Sequence, residues 1–253
     1  MTRVAIALLP LPAQDFDPTE AGVAWQALTA AGHEVRFATP DGRPASADER
    51  MLTGHGLGPW RPLLVADARG RAAHGAMAAS AAFGAPLRWD EVASGAFDGL
   101  VLPGGHAPGM RPYLESPVLQ RLVSAAFADG RPVAAICHGV LLAARALRAD
   151  GRSVLHGRIT TALTRRQELL AWRLTRRRLG DYYRTYPAAV QDEVTAALAR
   201  PEDFRAGPLP LRRDGPGALG RGFTVRDGAY LSARWPGDAH RFGRELAALL
   251  SGR

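Results

Sequence analysis

The sequence predicts an α/β fold, a mostly parallel sheet with helices on both faces. Three observations carry this. Short apolar runs alternate with helical patterns along most of the chain, the order that builds a parallel sheet with crossover helices. The stretches "PGGH", "CHG" and "WPGD" each follow a predicted strand, where such sheets bind ligands. The 253 residues are 47% hydrophobic, and no Gly/Ser- or Pro-rich linker separates two apolar halves. The expectation is therefore a single domain over 1–253.

Residues 3–9, "RVAIALL", read as a buried strand bounded by Pro10. "PTEAGVAWQALTAA" (18–31) reads as a helix. Pro18 suits its first turn, Val23, Ala27 and Ala30 share a face, and Gly32 stops it. Strands follow at 33–39 and 96–102, the second ending at "PGGH". Next come a helix near 116–128, the strand "PVAAIC" (132–137) and a helix over about 139–148. "GRITTAL" (157–163) is a further strand candidate. "GAYLSARW" (228–235) reads as a strand and 238–250 as a closing helix. Two segments break the alternation. Residues 43–95 hold a short strand candidate, "PLLVA", and an Ala-rich helix near 72–82. Residues 164–222 hold two helical patterns and then a Pro/Gly-rich stretch. Both read as insertions decorating the sheet, as walls or a lid over a site.

The single cysteine rules out an intramolecular disulfide and suits a reducing compartment. The start has neither the length nor the cleavage site of a signal peptide, and no run of about 18 apolar residues exists. A cytoplasmic protein with no membrane partner is expected. The net charge is +8, and every basic residue is Arg. Rich in Ala, Arg and Gly, this composition matches a GC-rich coding sequence. The charges are scattered and do not point to nucleic acid. One run is denser: Arg165, Arg166, Arg173, Arg176, Arg177 and Arg178, with Leu170, Trp172 and Leu174 interleaved. It is either a basic face for a phosphate or acidic partner or, as is commoner, a solvated helix face. Tyr182, Tyr183 and Tyr186 follow, suited to packing the insertion onto the sheet or to a dimer contact.

Cys137 ends a strand and precedes "HGVLLAARAL", a helical pattern. A strand that stops at a nucleophile and turns at once into a helix lifts the nucleophile above the sheet edge. Gly139 keeps such a turn sterically open. The helix start would lower the cysteine pKa, and the His138 amide would face an oxyanion beside Cys137. The alternative is a buried cysteine filling the strand end. Gly104 and Gly105 in "LPGGH" can bring the backbone close to a ligand and complete an oxyanion hole, or form an ordinary Gly-rich turn.

"FDPTEAGVAWQALTAAGHEVRFATPDG", "FDGLVLPGGHAPGM" and "PVAAICHGVLLAARAL" together resemble the DJ-1/PfpI superfamily, whose fold is that of class I glutamine amidotransferases. The "GGH" and "CHG" stretches are most similar to its branch of heat-shock-type chaperones and glutathione-independent glyoxalases (glyoxalase III). The resemblance spans about 4–163, with a weaker match at 223–250. It implies a flavodoxin-like sheet with the nucleophile Cys137 at the strand-to-helix turn. His138 would shuttle protons, and Glu20 in the first helix would contact the sulfur. Burial would raise the Glu20 pKa, so that it donates to a thiolate or moves a substrate proton. Without the resemblance, Glu20 is equally a solvated glutamate at a helix start. Glu168 in "TRRQELLAW" is the candidate third member, orienting His138, or else a surface helix residue. Gly104, Gly105 and His106 are the candidate substrate-binding residues.

Glutamine amidotransferases proper carry a late His-x-Glu. The comparable place here, "WPGDAH", has Asp238 and His240 in the opposite order, and Asp238 reads as an N-cap. None of His33, His55, His74, His106, His138, His156 and His240 forms a ligand pair, so no metal is predicted. The expected activity is cofactor-free and cysteine-dependent, on a small carbonyl compound, as in glyoxalase III or in repair of glycation adducts. A stress holdase or cysteine-oxidation sensor is the first alternative, and an amidase or peptidase the second. The resemblance also implies a homodimer.

Overall fold

Nine strands organise the described residues: β1 (Ile6–Pro10), β2 (Gln14–Phe16), β3 (Glu34–Thr39), β4 (Ser46–Ala47), β5 (Leu87–Arg88), β6 (Gly99–Leu102), β7 (Val133–Ile136), β8 (Thr224–Asp227) and β9 (Tyr230–Ala233). The structure, a computed structural model, describes residues 4–252; Arg3, where the first predicted strand begins, lies outside them. Seven strands form one sheet in the order β5-β3-β1-β6-β7-β9-β8, and β2 pairs with β4 separately. Every pair in the large sheet is parallel except β8 with β9. The α/β, flavodoxin-like class expected from the sequence is the one observed. β6 and β7 are buried along their whole length, the pattern of parallel strands covered by helices.

Two groups of helices cover the sheet. Pro18–Ala30 packs with Ala68–Ala78 and Ala239–Leu250, while Pro117–Ala128, Gly139–Arg145 and Val190–Ala197 pack together. The first helix is N-capped by Asp17, whose carboxylate accepts from Thr19 N–H at 2.8 Å and Glu20 N–H at 3.0 Å. It buries Ala21, Val23, Ala24 and Leu28, whereas Ala30 is exposed at its end. In the second insertion Val190, Val194 and Leu198 are buried, as their spacing predicts. Among the described residues, no helix is long and apolar enough to cross a membrane.

Several expected elements differ. Residues 157–163 form no strand, only a single bridge from Thr160 to Phe204. The outer edge of β9 is already taken by the antiparallel β8. The segment instead hangs on side chains, with Thr161 N–H donating to Ser232 Oγ at 3.0 Å. "PLLVA" lies largely in the short helix Arg61–Leu64, whose first turn takes Pro62. The helix after Cys137 ends at Arg145, because Ala146 turns extended. Asp238 stands at the start of the last helix but makes no side-chain cap. Its carboxylate pairs instead with the buried Arg234 guanidinium, at 2.9 Å to Nε and 3.0 Å to Nη2.

Candidate active site

β7 hands directly to a turn at Cys137. Its N–H still donates to Ala233 O of β9 at 3.1 Å, while its φ is +57°. Asp15 and Cys137 are the non-glycine residues with positive φ among those described. Such a conformation costs about 1–3 kcal/mol and persists only where the surroundings enforce it. Here Gly139 permits the close packing of the turn on β6 that goes with it. A Cβ at that position would lie 2.1 Å from the Leu102 carbonyl oxygen, so only glycine lets the helix start this close to β6.

His138 is fully buried and bridges two partners. Its Nδ1 lies 3.5 Å from Cys137 Sγ and its Nε2 lies 3.1 Å from Thr185 Oγ1. The Thr185 hydroxyl donates its one proton to the His106 carbonyl at 2.6 Å. Thr185 Oγ1 therefore accepts from Nε2–H, which leaves Nδ1 as a lone pair facing the thiol. Burial, with His106 and Arg145 nearby, lowers the His138 pKa to about 3, so the ring is neutral. Arg111 fixes the Thr185 backbone, donating to its carbonyl from Nε at 2.9 Å and Nη2 at 2.6 Å.

Glu168 does not orient His138, whose two ring nitrogens are taken. Its Oε2 accepts from Val190 N–H at 2.9 Å, and its Oε1 is buried without a hydrogen-bond partner. Burial raises its pKa to about 7, against the Val190 bond. It is thus neither a triad member nor a surface residue; it sits in the wall of the cavity over Cys137.

Glu20 is fully buried. Its Oε2 accepts from Gly104 N–H at 2.7 Å. Burial, then the neighbouring Asp17, raise its pKa well above the carboxylate range, as expected for a carboxyl among apolar groups. Gly104 is wedged between Glu20 and the turn: a Cβ there would lie 2.7 Å from His138 N and 2.9 Å from Glu20 Oε2. Because Gly104 N–H serves Glu20, it is not a free oxyanion donor. The backbone donor at the sulfur is His138 N–H. The thiol also departs from expectation. The His138 amide lowers its pKa, but burial first and then Glu20 and Asp17 push it well above that of an ordinary cysteine. A helix start cannot offset two carboxyl groups inside an apolar site.

A cavity of about 190 Å³ opens over Cys137. Gly105, His106, Trp235 and Pro236 line it, so "PGGH", "CHG" and "WPGD" do converge. His106 stacks on Tyr183, centroids 4.0 Å apart and planes 9° apart, and meets Tyr182 edge-on at 4.9 Å. Burial lowers its pKa to about 3, so its 3.9 Å approach to Asp48 is not an ion pair. Asp48 instead accepts from the Tyr182 hydroxyl. The tyrosine stretch thus packs the second insertion onto the site. The six arginines of 165–178 are all exposed, a solvated face. Among the described residues, no group of three or more His, Cys, Asp or Glu side chains is placed to hold a metal.

Sequence reasoning missed Thr185, Asp17, Arg213 and Trp235. Asp17 had a visible signal as an N-cap before a helical pattern. Trp235 lay in a strand-end stretch already singled out. Arg213 donates to Val65 O at 3.1 Å, stacks 5.3 Å over Trp235 and joins the two insertions at the cavity. Nothing local marks it or Thr185.

The chain matches the family described as "ThiJ/PfpI family-like" over residues 11–208. It is 31% identical to deglycase PfpI of Pyrococcus furiosus over 246 residues, covering 96% of this chain and 98% of that protein. It is 30% identical to a deglycase of Thermococcus kodakarensis over 166 residues, 65% of this chain and 69% of that one. The crystal structure of glyoxalase III from Candida albicans shares the fold, with a TM-score of 0.61 at 15% identity and 96% of each chain covered. The chain belongs to the ThiJ/PfpI family of the DJ-1/PfpI superfamily.

Proposed function

We propose that the protein is a cysteine-dependent, cofactor-free enzyme acting on small reactive carbonyl compounds, of the glyoxalase III or deglycase type. One observation carries the reading: Cys137 Sγ, on a strained turn, faces the lone pair of a neutral His138 at 3.5 Å and opens into a cavity. The relatives named as deglycases and the fold shared with glyoxalase III support it.

For a 2-oxoaldehyde, the Cys137 S–H bond breaks as sulfur adds to the aldehyde carbon. The oxygen takes the electron pair of the C=O bond, and the proton is relayed to it through His138 Nδ1, which is too weak a base to keep it. In this reading the His138 N–H beside the sulfur donates to that oxyanion, with Gly105 N–H of the cavity lining as the second donor. Protonation gives a hemithioacetal. The raised pKa of Glu20 puts a carboxyl where it both takes and gives a proton. Glu20 takes the proton from the former aldehyde carbon and returns one to the neighbouring carbon, leaving a thioester. Water then adds and releases the 2-hydroxy acid and the thiol. The net change is addition of one water, with no oxidant or reductant.

The position of Glu168, held by Val190 N–H and away from His138, removes the orienting group an amidase reading needs. A homodimer in a reducing compartment such as the cytoplasm belongs to the same proposal, from the resemblance and the lone free cysteine. The test is methylglyoxal consumption and lactate formation without glutathione, beside Cys137→Ala and Glu20→Gln. Turnover abolished by both substitutions in folded protein is expected. Turnover surviving Cys137→Ala would sink the reading.

A further inference from the structure

The cavity over Cys137 is built by the two insertions, and its walls are mainly apolar. The first contributes Met51, Leu63 and Leu64, the second Leu170, Ala171 and Leu174. The polar residues of the lining are only partly engaged: Glu168 Oε2 holds Val190 N–H and Arg213 Nη2 holds Val65 O, while Glu168 Oε1, Arg213 Nη1, Tyr183 Oη and Trp235 Nε1 are buried without a hydrogen-bond partner, a few polar points in an otherwise apolar wall. A three-carbon hydrophilic dicarbonyl would fill little of about 190 Å³ and leave these walls wet. An apolar cavity of about 150 Å³ stays dry and takes a benzene ring. Leu63 and Leu170 are each 53% exposed and border the same cavity, apolar surface that a bulky ligand would cover. Trp235 and Tyr183 add aromatic wall for a ring to stack on or meet edge-on.

Building on the carbonyl-enzyme reading above, we infer that the substrate's reacting carbonyl carries an aryl or comparably bulky apolar group. The ring lies against the insertion walls and the aldehyde reaches Cys137. The two insertions are therefore the specificity elements, and the bond-making steps are those already given.

The experiment compares kcat/KM for phenylglyoxal and methylglyoxal without glutathione, in wild type and in Ala171→Phe, which fills the cavity. The expected wild-type preference for phenylglyoxal is about tenfold or more, the scale of burying one ring face. Ala171→Phe should collapse that ratio. Equal or better use of methylglyoxal overturns the inference while the carbonyl-enzyme reading stands. A second measurement needs no turnover: melting temperature with acetophenone against acetone at equal concentration. Stabilisation by acetophenone alone, lost in Ala171→Phe, is expected. If it is seen while neither dicarbonyl is consumed, the apolar site stands and the carbonyl-enzyme reading falls. Without it, and without a phenylglyoxal preference, the inference fails.

Discussion

His138 Nε2 meets Thr185 Oγ1 at 3.1 Å across 47 residues of sequence, and this contact decides which ring nitrogen faces the cysteine. The Thr185 hydroxyl proton is committed to the His106 carbonyl at 2.6 Å. Thr185 can then only accept, so Nε2 must carry the ring proton and Nδ1 the lone pair. A segment of the second insertion thereby sets the protonation of a residue in the strand-to-helix turn.

Thr185→Val keeps the shape and removes the acceptor. The ring is then free to take the other tautomer or rotate. Turnover should fall about 10- to 100-fold, a part of what a positioned base supplies. Iodoacetamide alkylation of Cys137 should slow in parallel, and Thr185→Ser should restore both. Equal alkylation rates in wild type and Thr185→Val would show that the contact is only structural.

The legible part of the site was the local part. Cys137, His138, Gly139, Gly104 and Gly105 lie at strand ends where apolar runs stop at glycines, and Glu20 lies in the first turn of a capped helix. Thr185 carries no such mark, since its role arises from a contact 47 residues away. Residues 157–163 have a fair strand pattern, but pattern cannot show that β8 already occupies the β9 edge. The β8–β9 hairpin does leave a trace, Gly228 at the first position of the two-residue Gly228-Ala229 turn, where φ is +61°. The thiol's raised pKa depends on Asp17 and Glu20 coming together around the sulfur, which spacing along the chain does not reveal.

Glu168 predicts a pH dependence of stability. Burial raises its pKa from 4.5 to about 7. Below pH 4.5 both folded and unfolded states hold the proton, and the group costs nothing. Between 4.5 and about 7 the unfolded chain releases it while the folded protein keeps it, so stability falls as pH rises. The loss levels off above the folded pKa, at about 3 kcal/mol. Glu168→Gln should be more stable than wild type at pH 8 and similar to it at pH 4.5, measured by urea unfolding. A difference independent of pH would contradict this.

Gly139→Ala tests the turn itself. The added Cβ would meet the Leu102 carbonyl at 2.1 Å, a backbone atom that cannot swing away. Either the helix Gly139–Arg145 withdraws from β6 or Cys137 leaves its positive φ. A loss of about 2–4 kcal/mol in stability is expected, with turnover lost even at temperatures where the protein stays folded. Gly151→Ala, at an exposed turn with nothing within 4 Å, is the comparison for a purely conformational penalty. It should cost less and leave activity intact.

Arg234 and Asp238 make the most deeply buried ion pair among those described, with side chains 1% and 0% exposed. Arg234 Nη1 also donates to Pro208 O at 2.5 Å and Ala206 O at 3.3 Å, tying the second insertion to the end of β9. Breaking such a pair from one side leaves a buried charge and costs about 3–5 kcal/mol. The two sides should not cost the same. With Arg234→Met, Asp238 can neutralise itself by taking a proton, and burial already pushes its pKa up. With Asp238→Asn, Arg234 has no such escape, because guanidinium does not give up its proton in proteins. Asp238→Asn should therefore be the more damaging change, and Arg234→Met should gain stability relative to wild type as pH falls. Urea unfolding of both variants at pH 5 and pH 8 reads this directly. Equal losses at both pH values would mean that the contacts to Ala206 and Pro208, not the charge, hold this end of the sheet.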